Sequence, residues 1–267
     1  MTGMKRMIVL LAAVVLSGCA VSQQQEVQMG QQYAAQIAEQ LPLVNDPEVV
    51  RYINVLGDSI AHVTKRSDLD WHFYVVNSSE VNAFAVPGGY VYVNRGLIER
   101  ASTMDELAGV LGHEIGHVVK RHTIKQMQQQ QGAGIGVTLA CILTQICNNQ
   151  ATGSAINLGA NALFSKFSRG DEAEADEEGF KNVVRAGISP KGLVTMFQKL
   201  IAERKATPGT VDAWFATHPL EEDRIADVQR LINTLPPSEL ASLTTDSKNF
   251  HTFKSRLASL PPAPIAR

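Results

Sequence analysis

Residues 113–117 read His113-Glu114-Ile115-Gly116-His117. On a helix, side chains four apart share one face, with Cβ atoms about 6 Å from each other, so both histidines reach one metal ion. The glutamate after the first histidine sits beside them, placed to take a proton from an activated water. The surrounding helix is expected to run from 104 to about 128. Leu107, Val110, Leu111, Ile115, Val118 and Val119 make it apolar over much of its circumference, so it belongs in the core. Two histidines and a glutamate inside a buried helix are costly to desolvate unless a partner such as a metal holds them. The stretch therefore reads as a zinc hydrolase centre.

Catalytic zinc takes three protein ligands and keeps a position for water. The third must come from elsewhere, and the other histidines are isolated. Downstream, Glu172 and Asp176 lie four apart on one helix face. We assign Glu172 to the metal and Asp176 to the free ring N–H of a ligand histidine, His113, where a carboxylate fixes the tautomer. An acidic helix start is also what the macrodipole favours, so the run from 171 to 178 has a purely structural reading. Glu174 is the nearest competitor as ligand and faces away from Asp176. His122 follows the second ligand by five residues, about 140° around a continuous helix, and is set aside. His62, His72 and His251 have no partner pattern.

Outward from the centre, Asp46-Pro47 is an N-cap followed by proline at the first helical position. It opens a helix expected to end near 65. Residues 71–76, 82–86 and 90–93 read as strands, with Pro87-Gly88-Gly89 as a tight turn. Short adjacent strands, not an alternating βαβ series, argue against a doubly wound parallel sheet. Thr103 with Glu106 has capping-box spacing. Helices are also expected from Asp171 to a Gly187 C-cap, after Ser189-Pro190, and over 220–235. Residues 20–41 read as a Gln-rich spacer running into an amphipathic helix. The tail after Pro236-Pro237 is expected to be irregular or weakly helical. The units are 1–18, 19–45, a domain over 46–235 that holds the metal centre, and a tail over 236–267.

Hydrophobic residues make up 45% and charged residues 19% of the 267, an ordinary globular balance. The formal charge of -2 gives no reason to expect nucleic acid. Lys5-Arg6 followed by the apolar run 7–16 is a secretory signal, too short to span a bilayer. Leu16-Ser17-Gly18-Cys19 resembles a lipobox, which makes Cys19 a lipidated first residue and anchors the chain to a membrane. A plain secretory signal is the alternative. Ala20, not aspartate, after the cysteine favours the outer membrane. Cys141 and Cys147 then remain, and a disulfide between them needs a turn, because six residues apart on a helix they diverge. The other reading is two buried thiols. Residues 132–164 suit a helical hairpin packed on the domain, with a transmembrane hairpin as the alternative.

Four motifs stand in order: Asn82-Ala83-Phe84-Ala85 with Pro87-Gly88-Gly89, the His-Glu-x-x-His stretch with Arg121-His122, Ser168-Arg169 with residues 172–176, and Thr217-His218-Pro219 with Arg224. In these the chain resembles the HtpX/CAAX-prenyl-protease family of gluzincin metallopeptidases, in its soluble periplasmic BepA- and LoiP-like lipoprotein branch. The resemblance implies a zincin-like α+β fold, mostly helical, with a small mixed sheet beside the histidine helix. It implies one Zn2+ per chain and proteolysis of misfolded or unassembled cell-envelope proteins, with Glu114 as base. It brings His218 to the site, to stabilise an oxyanion or to cap the zinc at rest. Arg224 holds that loop or an acidic neighbour. An edge strand, here Asn82, Ala83, Phe84 and Ala85, pairs with extended substrate. The competing reading is a latent or chaperone-like lipoprotein whose metal is capped by His218.

Overall fold

The structure, a computed structural model, describes residues 21–130, 166–219 and 222–263. The expectations for Cys19, for Cys141 and Cys147, and for 132–164 lie outside the described residues.

The core is built on one buried helix. Following α1 (Gln23–Gln40), α2 (Pro47–Ala61) and α3 (Arg95–Arg100), this is α4 (Met104–Val119). Leu107, Val110, Leu111 and Ile115 on α4 are wholly buried. Each contributes roughly 1.5–3 kcal/mol by leaving water. Against α4 pack two later helices, α6 (Arg169–Arg185) and α7 (Lys191–Ala206), which follow α5 (His122–Gln130). Glycines let α4 and α6 touch backbone to backbone. A Cβ on Gly116 would lie 2.7 Å from the Ala175 carbonyl oxygen, and one on Gly179 would lie 2.9 Å from Gly112. The missing side chains bring His113 and His117 on α4 close to Glu172 and Asp176 on α6. Gly116→Ala is therefore expected to cost about 1–3 kcal/mol as an overpacking change. The check is the urea midpoint, and an unchanged midpoint would show that the helices have room to part.

The sheet has three strands, β1 (His72–Val76), β2 (Ala83–Val86) and β3 (Tyr90–Asn94), in the order β1-β3-β2. β1 runs parallel to β3, with His72 opposite Tyr90, and β2 runs antiparallel, with Ala83 opposite Val93. It is the small mixed sheet expected. The turn from β2 to β3 has Gly88 at φ 85° and Gly89 at φ 102°, a region in which only glycine is unstrained. Ala83 and Ala85 face the main core with α2 and α4. Phe84 and Val86 face a second cluster with Met29 and Tyr33 of α1 and Ile124 and Met127 of α5. Both sheet faces are thus covered.

The chain differs from expectation in four places. α2 stops at Ala61, with its Asp46 cap in place. Thr103 is the N-cap of α4 but makes no side-chain cap bond; its hydroxyl donates to Asp105, and Glu106 accepts from the Ser102 N–H instead. The long helix over 104–128 is two helices, because Arg121 adopts φ 58° and ends the first turn of the ladder after Val119. The apolar positions carry a trace of this break, stepping five residues from Val119 to Ile124.

The fourth difference is the tail. After α8 (Asp212–Thr217) and α9 (Glu222–Ile232), α10 (Pro237–Ser242) and α11 (Lys248–Ser259) are regular helices. Phe250, Phe253 and Leu257 lie at helical spacing and enter the main core against α2. Their burial is the physical reason this stretch is ordered helix instead of an irregular wrap. Arg256 closes the contact on Asp46. No described helix is long and apolar enough to cross a membrane.

Candidate metal centre

α4 carries His113 and His117, and α6 carries Glu172 and Asp176. α6 begins at the Ser168 cap, whose hydroxyl accepts from the Asp171 N–H while the Asp171 carboxylate accepts from the Ser168 N–H. His218 is the C-cap of the short helix α8, held against the Trp214 ring at 4.6 Å. One donor atom from each of His113, His117, Glu172 and His218 lies within 4.8 Å of the others, and all four residues are buried. His113 Nε2 is 3.0 Å from His117 Nε2 and 3.3 Å from His218 Nδ1. The Glu172 carboxylate is 3.6 Å from His113 Nε2, 3.4 Å from His117 Nε2 and 3.1 Å from His218 Nδ1.

These separations fit zinc. Bonds of about 2.0–2.2 Å at tetrahedral angles put neighbouring donors roughly 3.3 Å apart. Ring chemistry points the same way. His113 Nδ1 donates to Asp176 Oδ1 at 2.8 Å, so its Nε2 is a bare lone pair. That lone pair converges with His117 Nε2 and a carboxylate, an arrangement that a cation stabilises. The Glu114 side chain is 1% exposed, and its Oε1 has no hydrogen-bond partner among the described residues. It lies 3.5 Å from His218 Nε2. A buried carboxylate oxygen left unpaired costs free energy, so the site has room in its chemistry for a further proton donor.

The electrostatics follow from burial and the charges inside it. Burial pushes the Glu114 carboxyl above its ordinary range, against the pull of His218 and His113. Burial also takes His117 well below the usual histidine range and so keeps it neutral, the ligating form. Burial alone would raise Glu172, but the field of His218 and hydrogen bonds with His117 and His218 hold it well below the carboxylate range. Asp176 is lowered too, because Arg224 and His113 outweigh its burial. Arg224 reaches Asp176 with two nitrogens, each at 2.7 Å, and also pairs with Glu172. Its third contact, 3.1 Å to the Pro219 carbonyl, ties down the loop behind His218. Arg224 thus holds both the loop and the acidic residues.

Glu174 stays outside the cluster, half-exposed beside Lys125 and His122. His62, His72 and His251 bond locally, to Asp58, Asp70 and Asp246. The sequence reading missed His122. It is wholly buried, with Nδ1 2.8 Å from His117 Nδ1. The 140° argument assumed a continuous helix, and the turn at Arg121 removes that premise. Phe167 was also missed; its ring stacks on His117 at 4.0 Å, and its N–H bonds to the Thr217 carbonyl next to His218. Asn82 lies just before β2, and Ala83, Phe84 and Ala85 lie within it at the edge of the sheet, beside α4.

The family model for peptidase family M48 matches residues 47–232. The chain is 32% identical over 247 residues to the beta-barrel assembly-enhancing protease of Escherichia coli K12, covering 90% of this chain and 50% of that protein. It is 30% identical over 182 residues to metalloprotease LoiP of the same organism, covering 68% of this chain and 70% of LoiP. With metalloprotease YcaL, also from E. coli K12, identity is 28% over 158 residues, covering 59% of this chain and 61% of YcaL. The chain spans about half the length of the beta-barrel assembly-enhancing proteases it matches.

Proposed function

The chain belongs to peptidase family M48, and from that membership and its donor set we propose a zinc-dependent endopeptidase acting on misfolded or unassembled cell-envelope proteins. The observation that carries the proposal is the convergence of His113 Nε2, His117 Nε2 and Glu172 beside the unpartnered Glu114 oxygen. Zinc held there supplies Lewis-acid chemistry, activating water near neutral pH and polarising a carbonyl. Glu114 takes the proton from the water that attacks the peptide carbonyl and passes it to the departing amine nitrogen. Asp176 fixes the His113 tautomer, and Arg224 keeps Asp176 ionised in a buried site while pairing with Glu172. His218, or its ring proton, is available to the developing oxyanion.

Substrate would enter along β2. Asn94 N–H bonds to the Asn82 carbonyl, and pairing alternates from there, so Ala83 and Ala85 aim their backbone groups away from β3. Main-chain pairing at that edge suits unfolded chains of many sequences. The names of the assembly-enhancing relatives support envelope substrates. The Lys5-Arg6 signal and Cys19 support export and a lipid anchor at the periplasmic face of the outer membrane.

A second reading has one observation in its favour. His218 Nδ1 stands within the donor set, and a site with four protein ligands leaves no position for water. The chain would then be latent at rest, or would hold unfolded strands without cutting them. Casein cleavage by wild type and by His218→Ala separates the two. Cleavage by wild type that chelator abolishes is expected for the open enzyme. Activity seen only in the variant supports latency, and no cleavage by either sinks the peptidase reading.

A further inference from the structure

We infer that His122 is the positioning residue of the metal ligand His117, presented by a strained turn that the N-terminal helix clamps. The inference rests on the metal-site reading above and extends it to a residue outside the ligand set.

The geometry gives the ring pair a direction. His117 Nε2 faces the donor cluster, 3.0 Å from His113 Nε2. As a ligand through Nε2, His117 must carry its proton on Nδ1. That nitrogen meets His122 Nδ1 at 2.8 Å, so His122 Nδ1 has to accept. The His122 proton then sits on Nε2, which faces Glu174 at 3.5 Å and Asp171 at 3.6 Å. Every step runs outward, from His117 to His122 to surface carboxylates. His113 is held by Asp176, a carboxylate backed by Arg224. For His117 a neutral imidazole takes the place of the carboxylate, with Phe167 packed 4.0 Å over the ligand ring.

The turn that presents His122 is costly. Arg121 at φ 58° is the one non-glycine residue with positive φ among the described residues. The left-handed conformation is unfavourable for an L-residue with a side chain and persists where the surroundings over-determine it. The surroundings are α1. The buried Glu26 carboxylate accepts from Arg121 Nε at 2.7 Å and from Arg66 at 2.7 Å, and Arg121 also reaches the Val21 carbonyl at 2.5 Å. Arg66 bonds on to the Val118 carbonyl, the last turn of α4. A buried acid on α1 thus fixes both sides of the break.

The test is zinc affinity, measured by chelator competition, in wild type, His122→Phe and His122→Asn. Phe keeps the ring volume and loses the acceptor. Asn places an acceptor near the Nδ1 position. Loss of a partner behind a ligand histidine costs about 10–100-fold in metal affinity. His122→Phe is expected to show that loss and His122→Asn to recover most of it. Wild-type affinity in His122→Phe overturns the proposal by showing that the position supplies only bulk, and equal loss in both variants overturns it because a restored acceptor then recovers nothing. Wild-type zinc binding tests the metal reading separately, so the two failures are distinguishable. Nitrogen NMR of the wild-type zinc form needs no variant. It should show His122 protonated on Nε2 and bare on Nδ1, and the opposite tautomer overturns the assignment.

Discussion

Glu114→Gln is expected to keep zinc at wild-type stoichiometry and to lower peptide hydrolysis about 10²–10⁴-fold, the range that a positioned general base supplies. The substitution is nearly isosteric, and Glu114 is not among the four residues whose donor atoms converge. The fold and the ligands should therefore be undisturbed. What is lost is the ability to take a proton, since an amide oxygen is a poor base. The paired measurement decides the assignment. Metal content by mass spectrometry or absorption should match wild type while casein turnover collapses. Full turnover with full metal would remove Glu114 from the mechanism, and loss of metal would make it structural.

The second large effect is on stability. Arg224→Ala leaves Glu172 and Asp176 without their cation, and these side chains are 0% and 4% exposed. Breaking a buried pair by removing one partner costs about 3–5 kcal/mol, because the other charge stays desolvated. That is from about a fifth to the whole of the stability of a typical domain, which is roughly 5–15 kcal/mol. The loss should be greatest in chelator, where no metal offsets the charge of Glu172, and smaller in zinc. Urea midpoints of the variant and wild type, each with and without zinc, give the four numbers needed. An unchanged midpoint in chelator would mean that the carboxylates find protons or water at little cost. Arg224→Lys should restore only part of the loss, since a point charge cannot grip both Asp176 oxygens as the planar fork does.

Much of the site was legible because its signals are local. The spacing of His113 and His117, and of Glu172 and Asp176, follows from helical periodicity alone. The strands announced themselves through β-branched and aromatic runs, and Asp46-Pro47 through cap chemistry. What escaped is set by long-range contacts. Nothing in Lys120-Arg121-His122 marks a helix break, for there is no glycine or proline. The left-handed turn exists because Glu26, 95 residues away in sequence, binds Arg121. Without that turn His122 points away, and periodicity discards it. Thr103 escaped for a local reason: its hydroxyl donates to Asp105, two residues on, and caps no backbone N–H. The tail misled for a different reason. Its helix carries only three core side chains, Phe250, Phe253 and Leu257, among many polar ones, too narrow a stripe to outweigh Pro236-Pro237.

Those three side chains bear on where this protein can be cut. The family match ends at 232, and a fragment ended there would look complete by alignment. It would lack Phe250, Phe253 and Leu257, whose burial contributes an upper estimate of about 5–9 kcal/mol in sum. That is comparable to the whole stability of an average domain. Such a fragment would also leave the apolar face of α2 bare, next to Val55, which is already exposed. Apolar surface of that kind drives association between copies. The family match and autonomous folding are thus expected to part company here: a stably folded unit should run through α11, about thirty residues past the last matched position.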